Sequence, residues 1–194
     1  MSNIITFEMR NNVGVITINN PPANALNFEV KKHISENFDF CMSNSECKGL
    51  VITSEGRMFI AGADISEFGV ETPQGTPELE DVIRKIELAP KPVIAALNGM
   101  ALGGGMELAM GCHYRLADPS VTVGQPEVNL GFIPGGGGTQ RLPRLVGPEL
   151  ALEMIVTGKP INATKAFEAG AIDEIIDGDL VESAIQLALS KAKK

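Results

Sequence analysis

The sequence predicts an α/β domain. Short apolar or β-branched runs alternate with stretches of helical spacing, no linker divides the chain, and glycine clusters stand where one kind of element gives way to the other. Residues 4–9 and 13–18 read as a β-hairpin about the turn-prone pair Asn11-Asn12. Asn19-Asn20-Pro21-Pro22 ends the second strand. Asn27 is placed to cap a helix over 28–42, whose apolar positions Val30, Ile34, Phe38 and Cys41 share one face. Residues 49–53 form a continuous apolar run, as a strand buried on both faces does. Small residues follow over 59–65, and 69–77, rich in Gly, Pro, Thr, Glu and Gln, read as a mobile surface loop. A helix over 78–88 and a buried strand over 92–97 come next. Beyond Pro148 the spacing is helical in three pieces, broken at Gly158-Lys159-Pro160 and across 170–179.

At 194 residues the chain fits one domain, 1–194, with a sizeable core. Its 44% hydrophobic and 21% charged residues are those of a globular protein, and a net charge of −8 argues against nucleic acid as the main partner. An anionic small molecule remains compatible, because backbone N–H groups and a few local cations suffice to hold one. Cys41, Cys47 and Cys112 are odd in number and lack CxxC spacing, which fits reduced thiols in a cytoplasm-like compartment. Residues 1–8 lack the pattern of a leader, and no apolar run reaches the ~18 residues that span a bilayer.

The segment Asn98-Gly99-Met100-Ala101-Leu102-Gly103-Gly104-Gly105-Met106-Glu107-Leu108-Ala109 carries the strongest chemical signal. A buried strand runs into glycines within which a helix begins, so a ligand can approach bare backbone and meet free N–H groups. Glu107 lies in the first turns of that helix among apolar neighbours, a setting that raises a carboxyl pKa toward neutrality. Glu127 follows Pro126 in a second apolar, glycine-flanked segment, residues 123–135. Two carboxyl groups on one reacting centre can divide the handling of a water and of a substrate proton. Each glutamate alone also fits a solvated surface group, and glycine clusters also serve plain turns. Other chemistries are poorly supplied. GxGxxG, GxxxxGK[ST] and GxSxG are all missing, and His33 and His113, the two histidines, belong to no cluster with metal-ligand spacing, so no metal site is expected.

Ala61-Gly62-Ala63-Asp64-Ile65, Ala101-Leu102-Gly103-Gly104-Gly105-Met106-Glu107-Leu108, Gly124-Gln125-Pro126-Glu127 and Pro134-Gly135-Gly136-Gly137-Gly138-Thr139-Gln140-Arg141-Leu142 together resemble the enoyl-CoA hydratase/isomerase (crotonase) family. Pro21-Pro22-Ala23-Asn24-Ala25-Leu26 also fits, and with Thr157-Gly158-Lys159-Pro160-Ile161 it is similar to the hydratase part of multifunctional fatty-acid oxidation enzymes. The resemblance runs from about residue 5 to residue 180, and four ordered motifs are far more specific than any one.

The resemblance implies a crotonase-like spiral of repeated ββα units and an acyl-CoA thioester substrate, with no cofactor beyond the coenzyme A carried by the substrate. It assigns Glu107 and Glu127 as the catalytic pair and the N–H groups of Ala63 and Gly104 as an oxyanion hole. It places Ala25, Leu26, Ala61, Gly62, Asp64, Ile65, Pro126 and Gly135 along the substrate, with a homo-oligomer, a trimer or dimer of trimers, as the assembly. Relative to that pattern the sequence lacks much of the usual C-terminal helical region, which in relatives covers the site. His113 stands where many relatives carry an acid, and Ser66 where some carry a lysine.

Overall fold

Asn11 and Asn12 both take positive φ (50° and 63°), the conformation a two-residue hairpin turn needs to match strand twist. They join β1 (Ile5–Arg10) to β2 (Val13–Ile18) in an antiparallel pair. These are the first elements of a computed structural model that describes residues 4–192. Residues 1–3 and 193–194, the ends of the expected 1–194 domain, lie outside the described residues.

From β2 onward the chain winds in one sense. It passes through α1 (Phe28–Ser43), capped by the Asn27 side chain at 2.9 Å, into β3 (Gly49–Ser54). It continues through α2 (Leu79–Glu87) to β4 (Val93–Leu97), then through β5 (Met100–Leu102) and α3 (Gly104–Gly111) to β6 (Tyr114–Ala117). After β7 (Thr122–Gly124) come α4 (Gly138–Val146), α5 (Pro148–Thr157), β8 (Ile161–Asn162) and α6 (Ala163–Glu168). The last elements are β9 (Glu174–Ile175) and α7 (Leu180–Lys191).

The main sheet has the order β1-β2-β3-β4-β6-β9, parallel everywhere except at the hairpin. Its inner strands are buried on both faces, which explains their continuous apolar runs. One face, including Ile16, Ile18, Ile52, Ala95 and Leu97, packs with α1, α2 and α3 in the larger core. The other, including Val15, Val51, Ile94 and Leu116, packs against Ala184, Ile185 and Ala188 of α7. A second layer pairs β5 with β7 and β8, extended by the parallel bridges Ile60–Ala101 and Leu26–Ala63. Each turn thus adds one strand to the large sheet, a short extended piece to the small layer, and a helical return. This is the ββα spiral that the motifs imply.

Several features were hidden in the sequence, among them the short strands β5, β6 and β7. β9 lies within the expected break across 170–179 and β8 directly after the one at 158–160, each two residues long and too short for any period to register. Helix α4 begins inside the glycine run and contains Pro143, both signals that normally argue against a helix.

Candidate active site

Gly103 turns the chain from β5 into α3 with φ 52° and ψ −126°, a conformation that only glycine enters without strain. Its N–H donates to the Gly124 carbonyl at 2.9 Å, tying the turn to the end of β7. Helix α3 is buried throughout, and its glycines permit that. A Cβ on Gly105 would collide with Ile60, and one on Gly111 would stand 2.6 Å from Ile83 Cγ2.

Beside the start of α3 lies the segment 61–65. The Leu26–Ala63 bridge holds it through Leu26 N–H to Gly62 O (2.9 Å) and Asp64 N–H to Leu26 O (3.3 Å). Those bonds leave the Ala63 N–H without a backbone acceptor among the described residues, as is the Gly104 N–H at the helix start. The two sites adjoin, since a Cβ on Gly104 would stand 3.3 Å from Ala63 N. Two free donors side by side, one of them at a helix N-terminus, suit an oxygen that carries negative charge.

Glu107 is only 2% exposed, and burial raises its carboxyl above the ordinary range. The N–H groups of Gly138 and Gly136 and the charge of Arg141 act in the opposite sense and favour the carboxylate. The Gly138 N–H donates to Glu107 Oε1 at 2.7 Å. Glu127 opens a 3₁₀ turn, Glu127–Leu130. Burial pushes its carboxyl up to about 7, and the nearby Glu107 charge adds to the rise. Glu127 Oε1 lies 3.0 Å from where a Cβ on Gly103 would be, so this carboxyl overhangs the start of α3.

Both glutamates line a cleft of about 620 Å³. Of the residues singled out from sequence, Leu26, Ala61, Gly62, Ala63, Asp64, Ile65, Gly104, Pro126 and Gly135 line the same cleft. Ala25 does not. It lies just behind the wall, its carbonyl accepting from Asn20 Nδ2 at 2.9 Å and from the Asn27 N–H at 3.0 Å.

Several residues on the wall or behind it escaped the sequence reading. Phe68 and Phe132 meet edge-on, 5.3 Å between centroids, and join two loops at the rim. Lys31 is the one cation on the wall among the described residues, 4.8 Å above the Phe28 ring and 4.0 Å from Glu78 Oε2. Gln125 is fully buried. With its amide nitrogen turned to Glu127, an orientation assigned from the hydrogen-bond partners, it donates to Oε1 at 2.9 Å and Oε2 at 3.2 Å. A glutamine directly before Pro126-Glu127 was the available signal, but only burial distinguishes it from a surface residue. His33 is exposed and pairs with Glu36, and His113 accepts from the Val93 N–H at 2.9 Å outside the cleft.

Residues 8–194 match the sequence profile of the enoyl-CoA hydratase/isomerase family. The chain belongs to that family. A probable enoyl-CoA hydratase of Bacillus subtilis (strain 168) is 44% identical over 199 residues, covering 99% of this chain and 77% of that protein. The peroxisomal bifunctional enzyme of Danio rerio is 42% identical over 186 residues, covering 96% of this chain and 26% of the larger enzyme. The crystal structure of enoyl-CoA hydratase from Bacillus anthracis superposes with a TM-score of 0.88 at 34% identity, covering 97% of this chain and 76% of that one. This enoyl-CoA hydratase/isomerase family member therefore shares its fold with solved hydratases and spans about a quarter of the length of the bifunctional relative.

Proposed function

We propose that this chain is an enoyl-CoA hydratase that adds water to trans-2-enoyl-CoA and yields 3-hydroxyacyl-CoA, a step of fatty acid β-oxidation. One observation carries the reading: two carboxyls of raised pKa share a cleft with two adjoining N–H groups that no backbone acceptor uses. The thioester oxygen accepts from Ala63 and Gly104. Glu107, whose charged form is favoured by the Gly136 and Gly138 N–H groups, orients the water and takes its proton as oxygen bonds to C3. The π electrons shift toward the thioester oxygen, and protonated Glu127 delivers its proton to C2. Proton exchange through the product hydroxyl or solvent restores the pair.

The N–H donors act most strongly on the charge that develops in the transition state. Loss of one such donor typically costs about 2.7–4 kcal/mol, and a positioned carboxyl contributes about 10²–10⁴-fold. Hydration changes no net oxidation state, so acid–base groups suffice, and coenzyme A arrives as part of the substrate. Along it lie Leu26, Ala61, Gly62, Asp64, Ile65, Pro126 and Gly135, with Ala25 supporting from behind. The shared core of both sheet layers supports one domain over the whole chain. Exposed Leu130, Phe132, Ile133, Leu152 and Val156 support a homo-oligomer, a trimer or dimer of trimers. No helix among the described residues is long and apolar enough to cross a membrane. Three buried unpaired thiols fit a reducing cytoplasm.

The test is the loss of enoyl-thioester absorbance when the full chain meets crotonyl-CoA. No turnover, with CoA ligands still bound, would sink the hydratase reading and leave an acyl-CoA-binding subunit. A 3-enoyl to 2-enoyl isomerase needs one proton-shuttling carboxyl. That reading gains if Glu127→Gln abolishes activity while Glu107→Gln is silent.

A further inference from the structure

We propose that Arg141 and Glu87 form a clamp that positions Glu107, acting through the glycine loop 135–138; the proposal rests on the hydratase reading above. The loop meets Glu107 with bare backbone. A Cβ on Gly136 would stand 2.7 Å from Glu107 Oε2, and one on Gly138 would stand 2.9 Å from Oε1. The loop must therefore be glycine to close on both carboxylate oxygens, and so it has no side chains of its own to fix its position. Four successive glycines carry the largest backbone entropy to be lost, so an outside anchor is needed to keep the Gly138 N–H on target.

Arg141, one turn into α4, supplies that anchor. Its Nη1 donates to the Gly136 carbonyl at 3.0 Å. Nη2 and Nε reach Glu87 Oε2 and Oε1 at 2.9 and 3.3 Å, a two-pronged pairing at the end of α2. The guanidinium lies over Gly137, where any Cβ would collide with it. The Arg141 side chain is 18% exposed against 49% for Glu87, so the arginine is the sheltered member. One planar group thus connects α2 and the loop, a geometry that a guanidinium fork achieves and a single ammonium does not. The same arginine brings positive charge toward Glu107. The other charged groups on the cleft wall are Glu127 on the 3₁₀ turn, Lys31 on α1, Asp64 and Glu67 before α2, and Glu78 and Glu80 at its start. Arg141 is the cation on the side of the glycine loop. It is a positioning residue, reaching substrate only through Glu107.

The experiment compares wild type with Arg141→Met, Arg141→Lys and Glu87→Gln in the full chain. The readouts are crotonyl-CoA hydration and, without substrate, the Glu107 titration midpoint from ¹³C-carboxyl-labelled protein. Arg141→Met should lower kcat about 10- to 100-fold, as small misplacements of a reacting group do, with KM changed less than about threefold. The Glu107 midpoint should move up. Arg141→Lys should recover little of the rate, and Glu87→Gln should fall between. Unchanged kcat and an unchanged Glu107 midpoint in Arg141→Met, with only thermal stability lowered, would overturn the clamp. Full rescue by lysine would also overturn it, because charge alone would then account for the effect. If Arg141→Met fails to fold, Glu87→Gln decides by the same two readouts. Inactive wild type would remove the hydratase reading, whereas the Glu107 midpoint would still test the clamp.

Discussion

Glu127→Gln should stabilise the protein in alkaline solution while removing most of its activity. Burial holds the Glu127 carboxyl at about 7 against an ordinary 4.5. At about 1.4 kcal/mol for each tenfold change in proton affinity, the difference is worth about 3 kcal/mol. Glu127 is only half-buried, and solvent screening reduces the expected effect to between about 1 and 3 kcal/mol. Because the folded pKa is the higher one, the folded state keeps its proton longer than the unfolded chain. This contribution is complete below about pH 4.5 and is lost as the pH rises through about 7. Glutamine stays neutral throughout and escapes the loss. Urea unfolding of both proteins at about pH 5 and about pH 8.5 should show the variant gaining on wild type by that amount at the higher pH. Taking the difference between the two proteins cancels the titrating groups that do not interact with Glu127; Glu107, whose charge acts on it, is the exception. A difference that is the same at both pH values would refute a buried, proton-holding Glu127. The same variant should lose about 10²–10⁴-fold in kcat if Glu127 is the proton donor.

Three further outcomes are expected. Gly136→Ala should lower kcat much more than it lowers Tm, because the added methyl falls 2.7 Å from Glu107 Oε2 and displaces that carboxylate; steady-state kinetics beside thermal unfolding checks this. Arg115→Met should cost about 3 kcal/mol in urea unfolding. The 2.8 Å pair with Asp173 is lost, and the Ala171 and Cys112 carbonyls lose the donors that reach them at 3.1 and 2.8 Å. Cys41, Cys47 and Cys112 are all buried, so a thiol reagent should titrate them slowly in the native protein and fully after denaturation.

Much of this protein was legible from residue order. Asn11-Asn12 announced the hairpin, Asn27 the start of α1, and the apolar runs 49–53 and 92–97 the buried parallel strands, because turn chemistry, capping and two-sided burial leave local marks. The glycine-flanked Glu107 and Glu127 were marked for the same reason, since a backbone that admits a ligand needs glycine. Helix α4 was not legible, because four glycines and Pro143 contradict the tertiary packing that overrides them. Nor was the position of Ala25, which does not line the cleft although it stands beside Leu26, and whose carbonyl accepts from Asn20. Gln125, Phe68 and Phe132 carried ordinary surface signals until burial or pairing set them apart.

By itself, then, the sequence determined the α/β spiral, the family motifs and the two glutamates, all properties of short segments. Tertiary structure alone decided what makes those glutamates usable. It set burial deep enough to bring Glu127 to about 7, a glycine loop closed on Glu107, and an arginine paired with a glutamate 54 residues earlier in the chain. It also set the Ala63 and Gly104 N–H groups side by side. Desolvation and hydrogen-bond direction depend on what lies across space, and segments as far apart in the chain as 63, 104, 127 and 138 acquire those neighbours only when the spiral closes.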